Sequence, residues 1–162
     1  DNKYLAVYSP IRADDASSVP IMVRMRNPQS EKEWVKRVWL IADRNPVPVP
    51  GVFNFSKEAG LAHVETRIRL EDMMHVRAVA EMNDGRLFMA ARWVKAFGGC
   101  TAPFYIASTK NLGKMKFRTE DDVISSEAPS KIQLMISHPN VSGLAMDQLT
   151  KSVPEAYYIK HI

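Results

Sequence analysis

Residues 75–96 read His75-Val76-Arg77-Ala78-Val79-Ala80-Glu81-Met82-Asn83-Asp84-Gly85-Arg86-Leu87-Phe88-Met89-Ala90-Ala91-Arg92-Trp93-Val94-Lys95-Ala96. Val76, Ala78, Ala80 and Met82 alternate with His75, Arg77, Val79 and Glu81, the period of a half-buried strand. Asn83-Asp84-Gly85 supplies a tight turn, and the pattern then continues from Arg86 to Ala96, so the two runs are expected to pair as an antiparallel hairpin. The same rhythm appears upstream. Ala62, Val64, Thr66, Ile68 and Leu70 alternate with His63, Glu65, Arg67 and Arg69, and Ile21, Val23 and Met25 alternate with Met22, Arg24 and Arg26. Residues 34–42 read as a strand that is apolar on both faces. Residues 52–55 form a short strand after the proline-rich loop Asn45-Pro46-Val47-Pro48-Val49-Pro50-Gly51. Helical periodicity is weak throughout. About six short strands separated by turn signals predict an all-β fold, an immunoglobulin-like antiparallel β-sandwich in which two sheets bury their inner faces.

The character changes near residue 100. Residues 104–108 read as one further strand of the first domain, which is expected to span 1–108. Residues 109–130 are rich in charge, with serines toward the end, and are expected to form a linker. Ile132, Leu134 and Ile136 then resume an alternating face, followed by the turn residues His138-Pro139-Asn140. A second sandwich begins here, over 131–162. That stretch holds only two or three strands and leaves an edge and an apolar face uncovered, so the domain is expected to be incomplete: a cut polypeptide, or one completed by another chain or by self-association.

The chain has 162 residues, 46% apolar and 25% charged, ordinary values for a globular protein. Its net charge of +4 is spread along the strands rather than gathered into a basic arm, which argues against nucleic acid as a partner. An acidic protein partner fits such a surface equally well. No run approaches the ~20 apolar residues of a membrane-spanning helix, so no membrane partner is expected. The start, Asp1-Asn2-Lys3-Tyr4, reads as a processed end.

Chemistry concentrates on one residue. Cys100 is the single cysteine and sits in Val94-Lys95-Ala96-Phe97-Gly98-Gly99-Cys100-Thr101-Ala102-Pro103. One cysteine excludes an intrachain disulfide and a multi-cysteine zinc site. The two glycines permit close backbone approach to another surface, and the sulfur offers a nucleophile or a covalent attachment point. The plainer reading is a small buried residue at a strand end. No histidine lies within twenty residues of Cys100, and the nearest cation in sequence is Lys95. A cysteine hydrolase would need a distant His63, His75 or His138, an orienting residue and an oxyanion site that no motif announces. Met73-Met74-His75 is the only hint of a soft metal site; the plainer reading places the methionines over the core and His75 outward. Arg67, Arg69 and Arg77 are expected on outward faces as solvated, weakly paired charges. With no phosphate loop, dinucleotide fingerprint or carboxylate pair, neither metal nor cofactor is expected.

Three segments, residues 62–70, 76–90 and 94–100, resemble in order and spacing SoxY, the sulfur-carrier subunit of the thiosulfate-oxidising system. The upstream Trp39-Leu40-Ile41-Ala42-Asp43-Arg44-Asn45-Pro46-Val47-Pro48 is similar to the SoxY segment ending in an Asn-Pro loop. Downstream, Ile136-Ser137-His138-Pro139 with Ser142-Gly143 is similar to the early part of SoxZ, the immunoglobulin-like partner of SoxY. Both halves on one chain resemble the fused SoxYZ-like carriers associated with quinoprotein dehydrogenases. The resemblance implies a non-catalytic bacterial periplasmic protein, its signal peptide removed, with a SoxZ-like half continuing past Ile162. It implies that Cys100 carries a sulfur-containing or other intermediate covalently, on a loop of Gly98, Gly99 and Thr101, to Sox-type or quinoprotein dehydrogenase partners. In SoxY the cysteine lies in a terminal Gly-Gly-Cys-Gly-Gly. Here Thr101-Ala102 replaces the last two glycines and the chain goes on, so the thiol is tethered at both ends and sweeps less volume. The alternative is an adaptor for a quinoprotein alcohol dehydrogenase system, in which Cys100 is only structural.

Overall fold

The computed structural model describes residues 3–97, 109–120, 127–144, 146–147 and 150–162. The chain divides into two compact units, Asp1–Cys100 and Thr101–Ile162. Among the described residues there is no α-helix, only strands and two short 3-10 turns.

Unit one holds seven strands: β1 (Leu5–Tyr8), β2 (Val19–Met25), β3 (Val35–Ala42), β4 (Gly51–Asn54), β5 (His63–Ile68), β6 (Met74–Met82) and β7 (Leu87–Val94). They form two antiparallel sheets, ordered β1-β2-β5 and β4-β3-β6-β7. β6 and β7 pair antiparallel as expected, with Ala78 opposite Ala90 and Glu81 opposite Leu87. At its turn Gly85 has φ +86°, a left-handed conformation that glycine adopts without steric cost. Asn83 ties that turn to the segment entering β3: its Oδ1 accepts from Trp34 N at 3.1 Å and its Nδ2 donates to Lys32 O at 3.1 Å.

The inward residues of the alternation make the core. Val19, Ile21, Val23, Val38, Leu40, Met74, Val76, Ala78 and Ala80 are buried in one cluster, with Leu5 and Val7 from β1. Each fully buried aliphatic side chain contributes ~1.5–3 kcal/mol relative to an exposed one. β1 carries no alternation in the sequence, because Leu5, Ala6 and Val7 are all buried.

The chain ties the sheets together at one pole. After β1, Arg12 pairs with Lys95 in a parallel bridge at the end of β7. Asn45, in the proline-rich loop after β3, donates from Nδ2 to Arg69 O at 2.7 Å and accepts from Glu71 N at 3.1 Å. The Asn-Pro loop thus joins the segment leaving β5 to the opposite sheet.

In unit two, β8 (Met115–Thr119) pairs antiparallel with β9 (Ile132–Ile136), with Phe117 opposite Leu134. The stretch 109–130 therefore is not only a linker: it supplies a strand, because Met115 and Phe117 alternate with Lys116 and Arg118 over a span too short to stand out in a charged segment. Val141 and Tyr157 exchange backbone hydrogen bonds of 2.8 and 2.7 Å, and Tyr157 packs on His138 at 4.7 Å between ring centroids. His138 is a turn residue, as expected, its Nδ1 accepting from Asn140 N at 3.1 Å. The strand expected over 104–108 lies outside the described residues.

Candidate functional site: the root of the Gly-Gly-Cys segment

Cys100 and the loop residues Gly98, Gly99 and Thr101 lie outside the described residues. What the structure defines is the platform from which they depart. β7 delivers the chain to Val94, fully buried and opposite Met74. Lys95 then makes two backbone hydrogen bonds to the segment after β1: its N–H donates to Ile11 O at 2.8 Å, and its carbonyl accepts from Ala13 N at 2.9 Å. Ala96 is fully buried. The next residue, Phe97, is 66% exposed. The chain therefore changes from core to solvent within one residue, three positions before Cys100.

Around this root, His75 stands opposite Trp93 and the two rings meet edge-on at 4.8 Å. Met74 is buried while His75 is exposed, so the two side chains leave β6 on opposite faces and do not converge on a metal. Among the described residues no group of three or more histidine, cysteine or acidic side chains is placed to hold one. Arg77 corrects the expectation of a weakly paired charge. Its Nε donates to both oxygens of Asp43, at 2.8 and 2.9 Å, and its Nη2 lies 2.8 Å from Asp43 Oδ2. Hydrogen bonding from Arg77 holds the Asp43 carboxyl below the usual carboxylate range; desolvation opposes this, and the charges of Arg77 and His75 add to it. Arg67 likewise donates to Ser18 O at 3.0 Å. His63 sits half-buried on β5, its Nε2 3.2 Å from Glu65 Oε1.

Two features of the fold carry little or no local signal in the sequence. One is the outer face of the four-stranded sheet, where Val52, Trp39, Val79 and Met89 stand in register across β4, β3, β6 and β7. Antiparallel sandwiches ordinarily show polar residues on such a face. The apolar reading of both faces of residues 34–42 was its only signal. The other feature is Arg12, brought beside Lys95 by the parallel bridge. Nothing local in the sequence marks that pairing.

Against known families, the model described as "Sulfur oxidation protein SoxY" matches residues 1–100, and that described as "Sulphur oxidation protein SoxZ" matches residues 118–162. The chain belongs to the SoxY family and carries a SoxZ-matched segment after it. The SoxY match ends on Cys100, and the SoxZ match begins within β8. Among curated proteins there is no match. Among solved structures, a superoxide reductase (neelaredoxin) from Ignicoccus hospitalis is 14% identical, with TM-score 0.50 over 57% of this chain and 78% of its own. The sulfur carrier protein SoxY from Chlorobium limicola f thiosulfatophilum is 19% identical, with TM-score 0.47 over 59% of this chain and 76% of its own. At these identities the first likeness speaks to the sandwich fold alone.

Proposed function

We propose that this chain is a carrier protein that binds an intermediate covalently through the Cys100 thiol and presents it to partner enzymes, with no turnover of its own. The observation that carries the reading is the SoxY family match, which runs through the sandwich and ends on Cys100. The root geometry supports it. A carrier thiol needs a rigid base and access, and the chain leaves a fully buried Ala96, fixed through Lys95, for an exposed Phe97. The cargo is proposed to be a sulfur-containing or similar intermediate, and the compartment the bacterial periplasm. The partners are proposed to be Sox-type enzymes or a quinoprotein dehydrogenase. Capture is attack of the thiolate on an electrophilic centre of the cargo with expulsion of that centre's leaving group, and release is attack of a partner's nucleophile on the adduct, which returns the thiolate as leaving group.

Intact mass spectrometry of protein purified from its native host, with and without reductant, followed by peptide mapping, tests this. The expected result is a reductant-sensitive mass increment on the peptide containing Cys100, lost in Cys100→Ser. A free thiol in every preparation, with Cys100→Ser fully functional in the host, would overturn it. The apolar outer face around Trp39 and Met89 favours a second reading, an adaptor that binds a periplasmic dehydrogenase through sandwich surfaces. In that case Trp39→Ala abolishes function and Cys100→Ser does not.

A further inference from the structure

The outer face of the four-stranded sheet combines an apolar centre with a charge of one sign. Val52, Trp39, Val79 and Met89 form its central row. Along β7 and just past it every second residue faces the same way, so Leu87, Met89, Trp93 and Lys95 share this face, and Arg12 joins them opposite Lys95. Val52, Leu87, Met89 and Trp93 are all exposed. The carboxylates of the face are already engaged: Glu81 lies 3.3 Å from Lys36 Nζ, and both oxygens of Asp43 accept from Arg77. Its cations are not. Among the described residues Arg12 and Lys95 are exposed and hold no carboxylate, while Arg37 donates to the neutral Asn54 at 2.9 Å and sits 5.4 Å from the centroid of the Trp39 ring. Arg37 lies to one side of the central row and the Arg12–Lys95 pair to the other. The apolar centre is thus flanked at both ends by positive charge without counter-ions.

We infer that this face docks a protein partner whose contact surface has an apolar centre flanked by carboxylates. The inference holds whether Cys100 carries cargo or is only structural. Charge complementarity selects the occupant: an acidic surface supplies the counter-ions that Arg12, Lys95 and Arg37 lack, and steers the encounter. A second copy fits less well, because a two-fold contact sets the same positive excess against itself in a chain of net charge +4. Tryptophan and arginine are the side chains that most often dominate such contacts, and the face presents both. Strands ~4.8 Å apart and about eight residues long at ~3.3 Å each give it on the order of 500 Å². That is one side of a transient complex, which buries under ~1,200 Å² in total.

The test is photo-crosslinking of the full chain in its native host, with a benzophenone-bearing phenylalanine analogue in place of Met89 or, as control, of Tyr8 on the outer face of the other sheet. The expected result is an adduct from the Met89 position, not from the Tyr8 position, to a different protein that mass spectrometry identifies as acidic at the crosslinked surface. Arg12→Glu/Lys95→Glu is expected to lower its yield about tenfold or more, and the gentler Arg12→Gln/Lys95→Gln about threefold. Arg24→Glu/Lys32→Glu makes the same change in net charge away from this face and is expected to leave the yield within about twofold. Cys100→Ser is expected to leave it within about twofold as well. No adduct, an adduct to a second copy, to the same chain, to lipid or to nucleic acid, or a yield indifferent to reversal of Arg12 and Lys95 overturns the docking face and leaves the carrier reading standing. Persistence of the adduct in Cys100→Ser, with no mass increment on Cys100 in any preparation, overturns the carrier reading and leaves the docking face standing.

Discussion

The sandwich of unit one and the β8–β9 hairpin of unit two are written in the same alternating code and end in opposite environments. On β3, Val38 and Leu40 are 2% and 1% exposed beneath the facing sheet. On the hairpin, Met115, Phe117 and Ile132 line one apolar face in register with Ile136, Leu134 and Thr119, and are 64%, 68% and 57% exposed. Alternation decides which side of a strand is apolar. It does not decide what covers that side, because burial needs a second layer that the strand's own sequence does not contain.

The largest expected effect breaks or upholds this contrast directly. Leu40→Ala is expected to cost about 2–5 kcal/mol in denaturant unfolding, through lost transfer free energy and a residual cavity. Phe117→Ala, on the open face, is expected to stay within about 0.5 kcal/mol. A comparable loss for Phe117→Ala means that a partner or second copy covers the hairpin in solution, and concentration-dependent stability would then identify self-association.

Glycines sharpen the comparison at smaller scale. Gly143, at φ +76°, would place a Cβ 2.9 Å from both Ala156 Cβ and Ala156 N, whereas Gly85, at φ +86°, has open space around it. Gly143→Ala is thus expected to destabilise unit two by ~2–3 kcal/mol, combining backbone strain with a clash. Gly85→Ala is expected to cost unit one only ~1 kcal/mol, from strain alone. Site-resolved hydrogen exchange separates the two, and the reverse order would mean that the 141–157 contact is not formed in solution.

The smallest effect concerns the Arg77–Asp43 fork on the outer sheet. The folded Asp43 carboxyl titrates below its unfolded value of about 3.9, so the fork stabilises above that pH and its contribution disappears as pH falls through the folded value. Asp43→Asn is expected to melt slightly below wild type at pH 7, with the gap closing below about pH 4. A gap unchanged at pH 3 would show that the fork does not operate through charge.

Much of this was legible from residues alone. The β6–β7 hairpin, its Asn83-Asp84-Gly85 turn and strands β2, β3, β4 and β5 were all readable because each is announced within its own ten residues. β1 was not, since a strand buried on both faces has no period, and β8 was not, since five residues among charges carry too little signal. Of the site, the sequence picked out Cys100 with Gly98, Gly99 and Thr101, which lie outside the described residues, and Lys95 as the nearest cation. Arg12 was invisible because its neighbour stands at the far end of another sheet.

By itself the sequence determined the class of fold, the inward residues of most strands and the thiol on which function is proposed to turn. These follow from side-chain hydrophobicity at period two and from the chemistry of single residues, both local properties. Only the tertiary structure decided that Val52, Trp39, Val79 and Met89 come into register on one outer face, that Asn45 fastens the segment after β5, and that Arg12 comes to lie against Lys95. Those outcomes depend on which distant segments the packed sheets bring together, and a one-dimensional period carries no such information.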